Sequence, residues 1–324
     1  MRAVTFRRYG PPEVLQIEEL PAPAAKEKQL LIRVRAAEVT KSDCEFRGFR
    51  FAVKWFWLPL RIAYGIRSPR NPILGGYFAG EVASDPPPSS PLRKGDAVFG
   101  CAKMQLGAYA QYLRLPEHYT VVKTPSGTSF AQAAAIPLGG LNALHFLNKL
   151  NPTEAEHLLI NGGGGSIGLF AIQIAKARGA IVTVVDKASK RAITERAGAD
   201  HFIDYTQQDF TQEAIRYDMI FDMVVSSNLR DCLNTLKPNG RYASGNPRFA
   251  DLMKSLFNRF YSNHPIYTAF AAESPAELAE LKALVETGKL NPLVDSIYPM
   301  EQAAEAHRRV ETEERNGAIV LEID

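Results

Sequence analysis

From the N-terminus to about residue 120 the apolar positions come in short runs: Ala3-Val4-Thr5-Phe6, Leu30-Leu31-Ile32-Arg33-Val34, Ala79-Gly80-Glu81-Val82, Asp96-Ala97-Val98-Phe99 and Tyr109-Ala110-Gln111-Tyr112-Leu113. Gly10-Pro11-Pro12, Pro21-Ala22-Pro23, Asp85-Pro86-Pro87-Pro88 and Lys94-Gly95-Asp96 separate them. Short strand-like runs cut by turn residues predict an irregular β-barrel. After Ser129 helical periods alternate with buried strands. Helices are expected at 130–150, 166–178, 189–196, 211–216 and 230–236, and strands at 157–161, 181–185, 201–203, 219–225 and 240–244. That alternation predicts βαβ units and a parallel sheet, hence an α/β chain. Near the C-terminus, Ser274-Pro275-Ala276-Glu277 reads as an N-cap followed by proline at the first helical position, opening a helix to Glu286. A further helix at 301–310 and a strand Ala318-Ile319-Val320-Leu321 follow, and the pattern leaves open which domain they join.

At 324 residues, two domains are expected. Hydrophobic residues at 46% and charged residues at 23% exclude a disordered or fibrous chain. A formal net charge of +3 is too small for binding by phosphate neutralisation, so a small-molecule partner is expected and a nucleic acid is not. Cys44, Cys101 and Cys232 form no CxxC, which excludes a thiolate zinc cage and fits a reducing compartment. The six histidines form no HxxxH or HExxH pair. The N-terminus lacks the pattern of a signal peptide, and no window approaches the roughly 20 apolar residues of a membrane span. A cytoplasmic protein with no membrane span is expected.

The chemistry concentrates after the run Leu158-Leu159-Ile160, at Asn161-Gly162-Gly163-Gly164-Gly165-Ser166-Ile167-Gly168, followed by a helical period. Gly163-x-Gly165-x-x-Gly168 satisfies a dinucleotide fingerprint: the early glycines admit a pyrophosphate to the backbone, and the last lets helix and strand pack closely. The helix start offers amides to the anion. Asp186 ends the next strand about 20 residues on, where an acid binds a ribose 2′-OH. Its charge repels a 2′-phosphate and favours NADH, whereas Lys187, Lys190 and Arg191 could bind that phosphate or form a solvated helix start.

With these motifs the sequence resembles the medium-chain dehydrogenase/reductase superfamily, in its zinc-independent quinone oxidoreductase-like branch. The carrying segments are Tyr9-Gly10-Pro11-Pro12-Glu13-Val14-Leu15, Lys94-Gly95-Asp96-Ala97-Val98-Phe99-Gly100, Gly107-Ala108-Tyr109-Ala110-Gln111-Tyr112, Ala133-Ala134-Ala135-Ile136-Pro137, the glycine loop, and Ala197-Gly198-Ala199-Asp200. The resemblance implies a GroES-like β-barrel domain over 1–125, completed by 266–324, and a Rossmann doubly wound parallel sheet over 126–265. It implies an active site between the domains, a preference for NADPH, and a possible homodimer. Zinc-dependent relatives hold metal through Cys-x-x-Asp and Gly-His-Glu patterns. This chain has Thr40-Lys41-Ser42-Asp43 and Gly75-Gly76-Tyr77 instead, so no zinc is expected.

Without that Lewis acid, hydride transfer to a quinone or an α,β-unsaturated carbonyl, whose π-system spreads the charge, is the expected reaction. The small-molecule electron acceptor would be held in line with the nicotinamide. A metal-free alcohol or aldehyde reductase and a non-enzymatic nicotinamide-binding sensor are the alternatives. Thr40, at the vacated ligand position, and Tyr77, through its phenol, are the catalytic candidates. A structural role is open for both. By the same resemblance Asn142 lies near the nicotinamide ribose, Val224 and Val225 near the adenine, and Gly245 and Asn246 near the nicotinamide.

Two further features stay open. Residues 46–70 gather Trp55, Phe56, Trp57, Tyr64 and several arginines, as core packing, a cap over the substrate, or a membrane-surface contact. Lys254 and Arg259, with Phe257, Phe260 and Tyr261, resemble a base-stacking patch, which the small net charge disfavours.

Overall fold

The alternation of Leu30, Ile32 and Val34 is realised in a strand twice as long as expected, Gln29–Val39, around which the first half of the molecule is organised. The structure is a computed structural model that describes residues 1–54, 57–256, 263–268 and 273–324. Trp55, Phe56, Phe257, Arg259, Phe260 and Tyr261 fall outside those residues. The chain divides into two compact units, Met1–Leu138 with Glu273–Asp324, and Gly139–Ala272.

Strands of the first unit are β1 (Arg2–Phe6), β2 (Leu15–Glu19), β3 (Gln29–Val39), β4 (Tyr77–Val82), β5 (Ala97–Cys101), β6 (Tyr112–Pro116), β7 (Val121–Lys123), β14 (Val294–Pro299) and β15 (Ala318–Glu322). One edge of β3 pairs antiparallel with β4; the other takes β6 along its first half and β15 along its second. The last strand of the chain thus closes on the first domain, and its Ile319 and Leu321, with Ile323 just beyond, share a core with Val4, Phe6, Ile32, Phe78 and Val98. Tyr109-Ala110-Gln111 does not continue into β6. Tyr109 and Gln111 bond to β1, and the chain bends before Tyr112 to reach β3.

Helices α1 (Lys41–Gly48), α2 (Trp57–Tyr64) and α3 (Phe130–Ala134) belong to this unit. The expected helix at 130–150 is two: α3, capped by the reciprocal Ser129–Gln132 box, and α4 (Ile136–Leu150). Pro137 has no N–H to return to Ala133, so the ladder breaks and restarts. α9 (Pro275–Glu286) begins after Ser274, but the serine side chain makes no capping bond. α10 (Ala303–Glu311) starts two residues later than expected, because Met300–Gln302 forms a 3-10 turn.

The second unit is a six-stranded sheet of parallel pairs. Its strands are β8 (His157–Asn161), β9 (Ile181–Asp186), β10 (His201–Asp204), β11 (Tyr217–Asp222), β12 (Leu236–Ser244) and β13 (Ile266–Thr268), ordered β10-β9-β8-β11-β12-β13. Helices α5 (Ser166–Ala177), α6 (Arg191–Arg196), α7 (Leu229–Asn234) and α8 (Phe249–Leu256) occupy the connections. The order is doubly wound, reversing between β8 and β11. The expected helix at 211–216 is absent: Asp209 caps a single 3-10 turn, Phe210–Gln212, and Phe210 is its one buried residue, which leaves no apolar face to hold a helix. The preceding helix is likewise shortened, with a 3-10 turn at Ala188–Lys190 leading into α6.

In the first unit α10 buries Ala303, Ala306, His307 and Val310, the i, i+3, i+4, i+7 stripe of an amphipathic helix. His307 is fully buried. Arg47 Nη1 donates to its Nδ1 at 2.9 Å, the Cys44 sulfur lies 3.4 Å from the same nitrogen, and the ring meets Tyr109 edge-on. Arg47, itself buried, also donates to Gly10 O and to Glu311. Burial, with the Arg47 guanidinium alongside, pushes the imidazole down to about 3. The folded protein therefore keeps His307 neutral, whereas the unfolded chain protonates it near pH 6.5. Acid favours the unfolded state, so this contribution to stability is lost as pH falls from about 6.5 toward 3. In His307→Gln, denaturant unfolding between pH 6.5 and 4 should show a pH slope shallower by up to about 1.4 kcal/mol per pH unit.

Candidate functional site

Strands β8 and β11 are neighbours at the reversal of the strand order, and the loops leaving their C-terminal ends flank that point, where open α/β sheets bind ligands. Leu158, Leu159 and Ile160 are buried because helices cover both faces of the sheet, and they fix where the glycine loop emerges. A Cβ on Gly163 would stand 2.6 Å from Val184 Cγ1, and one on Gly168 would stand 2.4 Å from the carbonyl oxygen of Gly163. Neither position admits a side chain, so α5 begins directly against the loop. Its N-cap, Gly165, brings no side-chain cap to the first-turn amides, beside the half-buried Ile167 and the buried Ser166. Loop and helix start form a cradle for an anion.

Asp186 ends β9 beside this cradle. Its Oδ2 accepts the Gly164 N–H at 2.7 Å and its Oδ1 the Lys187 N–H at 2.8 Å, so the carboxylate is fixed to the loop. The three basic residues that follow diverge. Lys187 is exposed; Lys190 is buried, its stem against Gly164; Arg191 lies over the Phe202 ring and pairs with Glu195. A solvated helix start therefore does not describe Lys190.

The far side of the crevice is organised by Asp222, which sequence reasoning missed. This buried carboxylate accepts from Asn161 Nδ2 (3.0 Å), Val224 N (3.0 Å), Ser227 Oγ (3.1 Å) and the Tyr242 phenol (2.8 Å). Burial raises its pKa while these bonds oppose the rise. Asn161 also donates to Ser227. Val224 and Val225 lie past the end of β11, not within it, because Asp222 turns the chain by capturing the Val224 amide. A Cβ on Gly162 would stand 3.3 Å from Val224 Cγ2, so the two loops meet. Gly245 N–H donates to Asp222 O and Asn246 Nδ2 to Met223 O, which ties the end of β12 to the same loop. Asn142 is half-buried on α4. The only sequence signal for this knot was an aspartate closing an apolar strand.

In the first unit Thr40 caps α1. Its buried hydroxyl donates to Asp43 Oδ2 at 2.6 Å and accepts from Asp43 N, while Asp43 Oδ1 accepts from Gly75 N at 3.0 Å. Burial raises the Asp43 carboxyl. Tyr77, opposite Cys101 in the β4–β5 register, turns its phenol to the Glu273 carboxylate. Burial and that carboxylate hold the phenol well above its usual pKa, and burial raises Glu273. Glu273 is thus a second residue that sequence reasoning missed, because nearly two hundred positions separate it from Tyr77. All three cysteine thiols are buried, with pKa values raised chiefly by burial, Cys44 to about 12.

Comparison with known proteins bears on both units. Residues 26–126 match the alcohol dehydrogenase GroES-like domain family and residues 197–321 the zinc-binding dehydrogenase family. The chain belongs to the medium-chain dehydrogenase/reductase superfamily. Within this superfamily it is 29% identical to a quinone oxidoreductase of Homo sapiens, covering 96% of this chain and 94% of the relative. It is 26% identical to an NADPH-dependent alkenal/one oxidoreductase, chloroplastic, of Arabidopsis thaliana, covering 99% and 79%. The solved quinone oxidoreductase from Coxiella burnetii superposes with a TM-score of 0.85 at 26% identity, over 100% of this chain and 99% of that one.

As a superfamily member the chain is expected to hold a nicotinamide dinucleotide, and the side-chain-free contacts of Gly163 and Gly168 fit one. Zinc fits poorly at the positions where zinc-dependent members bind it. Thr40 is held by Asp43, Gly76 has no side chain, and no three His, Cys, Asp or Glu gather into a metal site among the described residues. Gly168→Ala should force α5 off the loop, lowering stability by about 1–3 kcal/mol in denaturant unfolding and dinucleotide affinity at least about tenfold in fluorescence titration.

Proposed function

We propose that this protein is a zinc-independent NAD(P)H-dependent reductase of quinones or α,β-unsaturated carbonyls. The observation that carries the reading is a glycine cradle built for a dinucleotide in a chain whose metal-ligand positions hold Thr40 and Gly76. Similarity to a quinone oxidoreductase and an alkenal/one oxidoreductase supports it.

A bound nicotinamide supplies hydride. Gly163, Gly164, Gly165 and the first turn of α5, with Ser166 and Ile167, would hold the pyrophosphate. Asp186 would take the adenosine ribose, and Asn142, Val224, Val225, Gly245 and Asn246 would line the remainder. An Asp186 fixed by two amides cannot turn away from a 2′-phosphate, so NADH is the favoured cofactor. Tyr77 keeps its proton across the working pH range and would donate it to the acceptor oxygen as negative charge develops there. The Glu273 carboxylate would orient the phenol, and water would return a proton to the phenol oxygen. Thr40 would shape the site by capping α1, its hydroxyl proton being engaged by Asp43.

Oxidation of NADH and NADPH at constant enzyme, against a panel of quinones, enones and simple aldehydes, tests the reading; turnover confined to aldehydes would replace it with an aldehyde reductase. Tyr77→Phe should lower kcat for enones about 10²-fold with dinucleotide affinity unchanged. Asp186→Ser should tighten NADPH about tenfold and leave NADH no tighter, read as equilibrium affinities. If neither affinity moves, Asp186 does not meet the ribose.

A further inference from the structure

Helix α2 wears its amphipathicity inside out. Its inward residues are Leu60, Arg61 and Tyr64. The Arg61 guanidinium lies 4.3 Å from the Tyr9 ring centroid and 4.4 Å from that of Phe49, and the Tyr64 hydroxyl donates to Met104 O at 2.7 Å. The Tyr9 phenol holds the following turn through Gly65 O at 2.8 Å. Aromatic and polar contacts thus anchor the helix. Its outward face, Leu58, Pro59, Ile62 and Ala63, carries no polar side chain, and no residue of the helix is buried. Leu58 is 61% exposed, Ile62 58%, Ile66 just beyond the helix 66%, and Trp57 at its start 47%. Core packing describes the buried Phe49 and Val53 and the inward Phe46 and Tyr64, but not the outward face of α2.

Along the chain the exposed charges flanking α2 are basic, and Glu45, the nearest acid in sequence, is half-buried and accepts the Ala52 N–H. No Asp or Glu occurs between Phe46 and Gly80, and Arg50, Lys54, Arg67 and Arg70 are exposed on either side of α2. Aliphatic side chains stack poorly on bases, which disfavours a nucleic acid, and a protein partner would have to bring both the acid and the apolar surface. An anionic bilayer supplies both at once: phosphates at the depth of the cations, acyl chains at the depth of Leu58 and Ile62. No described helix is long and apolar enough to cross a membrane, so the contact would lie in the interface.

We propose that α2 and its flanks dock on an anionic lipid bilayer, with Leu58, Ile62 and Ile66 entering the acyl boundary, Trp57 at the headgroups, and Arg50, Lys54, Arg67 and Arg70 facing lipid phosphate. The proposal does not depend on the reductase reading.

The full-length protein is sedimented with vesicles of phosphatidylcholine alone and of phosphatidylcholine with phosphatidylglycerol. The two tryptophans, Trp55 and Trp57, both belong to this segment, so their emission reports on it. The expected result is association with the anionic vesicles only, with a blue shift, weakened by salt. Leu58→Ser with Ile62→Ser should reduce it at least about tenfold. Lys54→Glu with Arg67→Glu should reduce it about 25-fold or more. In both variants dinucleotide affinity and the unfolding midpoint should stay unchanged, which excludes misfolding as the cause. Three outcomes would each overturn the proposal: absence of association with anionic vesicles; association that both variants retain; or a self-associated wild type that Ile62→Ser disperses, which would make the face a contact between copies of the chain.

Discussion

One buried carboxylate holds the C-terminal end of the parallel sheet together. Asp222 sits where the strand order reverses, and through its side chain and backbone it joins the ends of β8, β11 and β12: Asn161 from the first, its own turn from the second, Tyr242 and Gly245 from the third. A carboxylate removed from water is tolerated only when hydrogen bonds replace the water, and here four N–H and O–H donors do so, with the Cys232 thiol beside them at 4.0 Å. The glycine loop and the loop at 223–227 then face each other at a fixed separation, touching at Gly162 and Val224. The cradle is shaped as much by this knot as by the glycines themselves.

The second knot is in the first unit, where Arg47 and His307 join α1 to α10 across most of the chain length. A buried arginine beside a neutral imidazole is a costly pairing, and Gly10 O and the Glu311 carboxylate offset it by accepting from Nε and Nη2. These contacts tie α10 to α1 and seat it there. Because β15 follows α10 and pairs with β3, the closing of the barrel sheet by the end of the chain depends on that seating.

Period and turn chemistry made the alternation of strands and helices after Ser129, the parallel sheet and the glycine cradle readable in the sequence, since all are local patterns. What stayed hidden was non-local or locally ambiguous. The partners of Asp222 are spread over about eighty positions, and no spacing rule joins Asn161 to Tyr242. Lys190 looked like any lysine at a helix start, because its burial against Gly164 comes from the return of β9 beside the loop. The segment at 211–216 had helical composition but a single anchor in Phe210, and propensity without a face to bury does not hold a helix in place. By composition the stretch 46–70 left core, cap and membrane contact open, and only their exposure shows that Trp57, Leu58 and Ile62 face out.

The buried thiols have a consequence for the chemistry of the chain as a whole. Quinones and enones are electrophiles that add to thiolates, and a protein that handles them is exposed to alkylation by its own substrates. Cys44, Cys101 and Cys232 are all shielded from solvent and held in the thiol form. The chain therefore presents no ready nucleophilic sulfur to the molecules it is proposed to reduce.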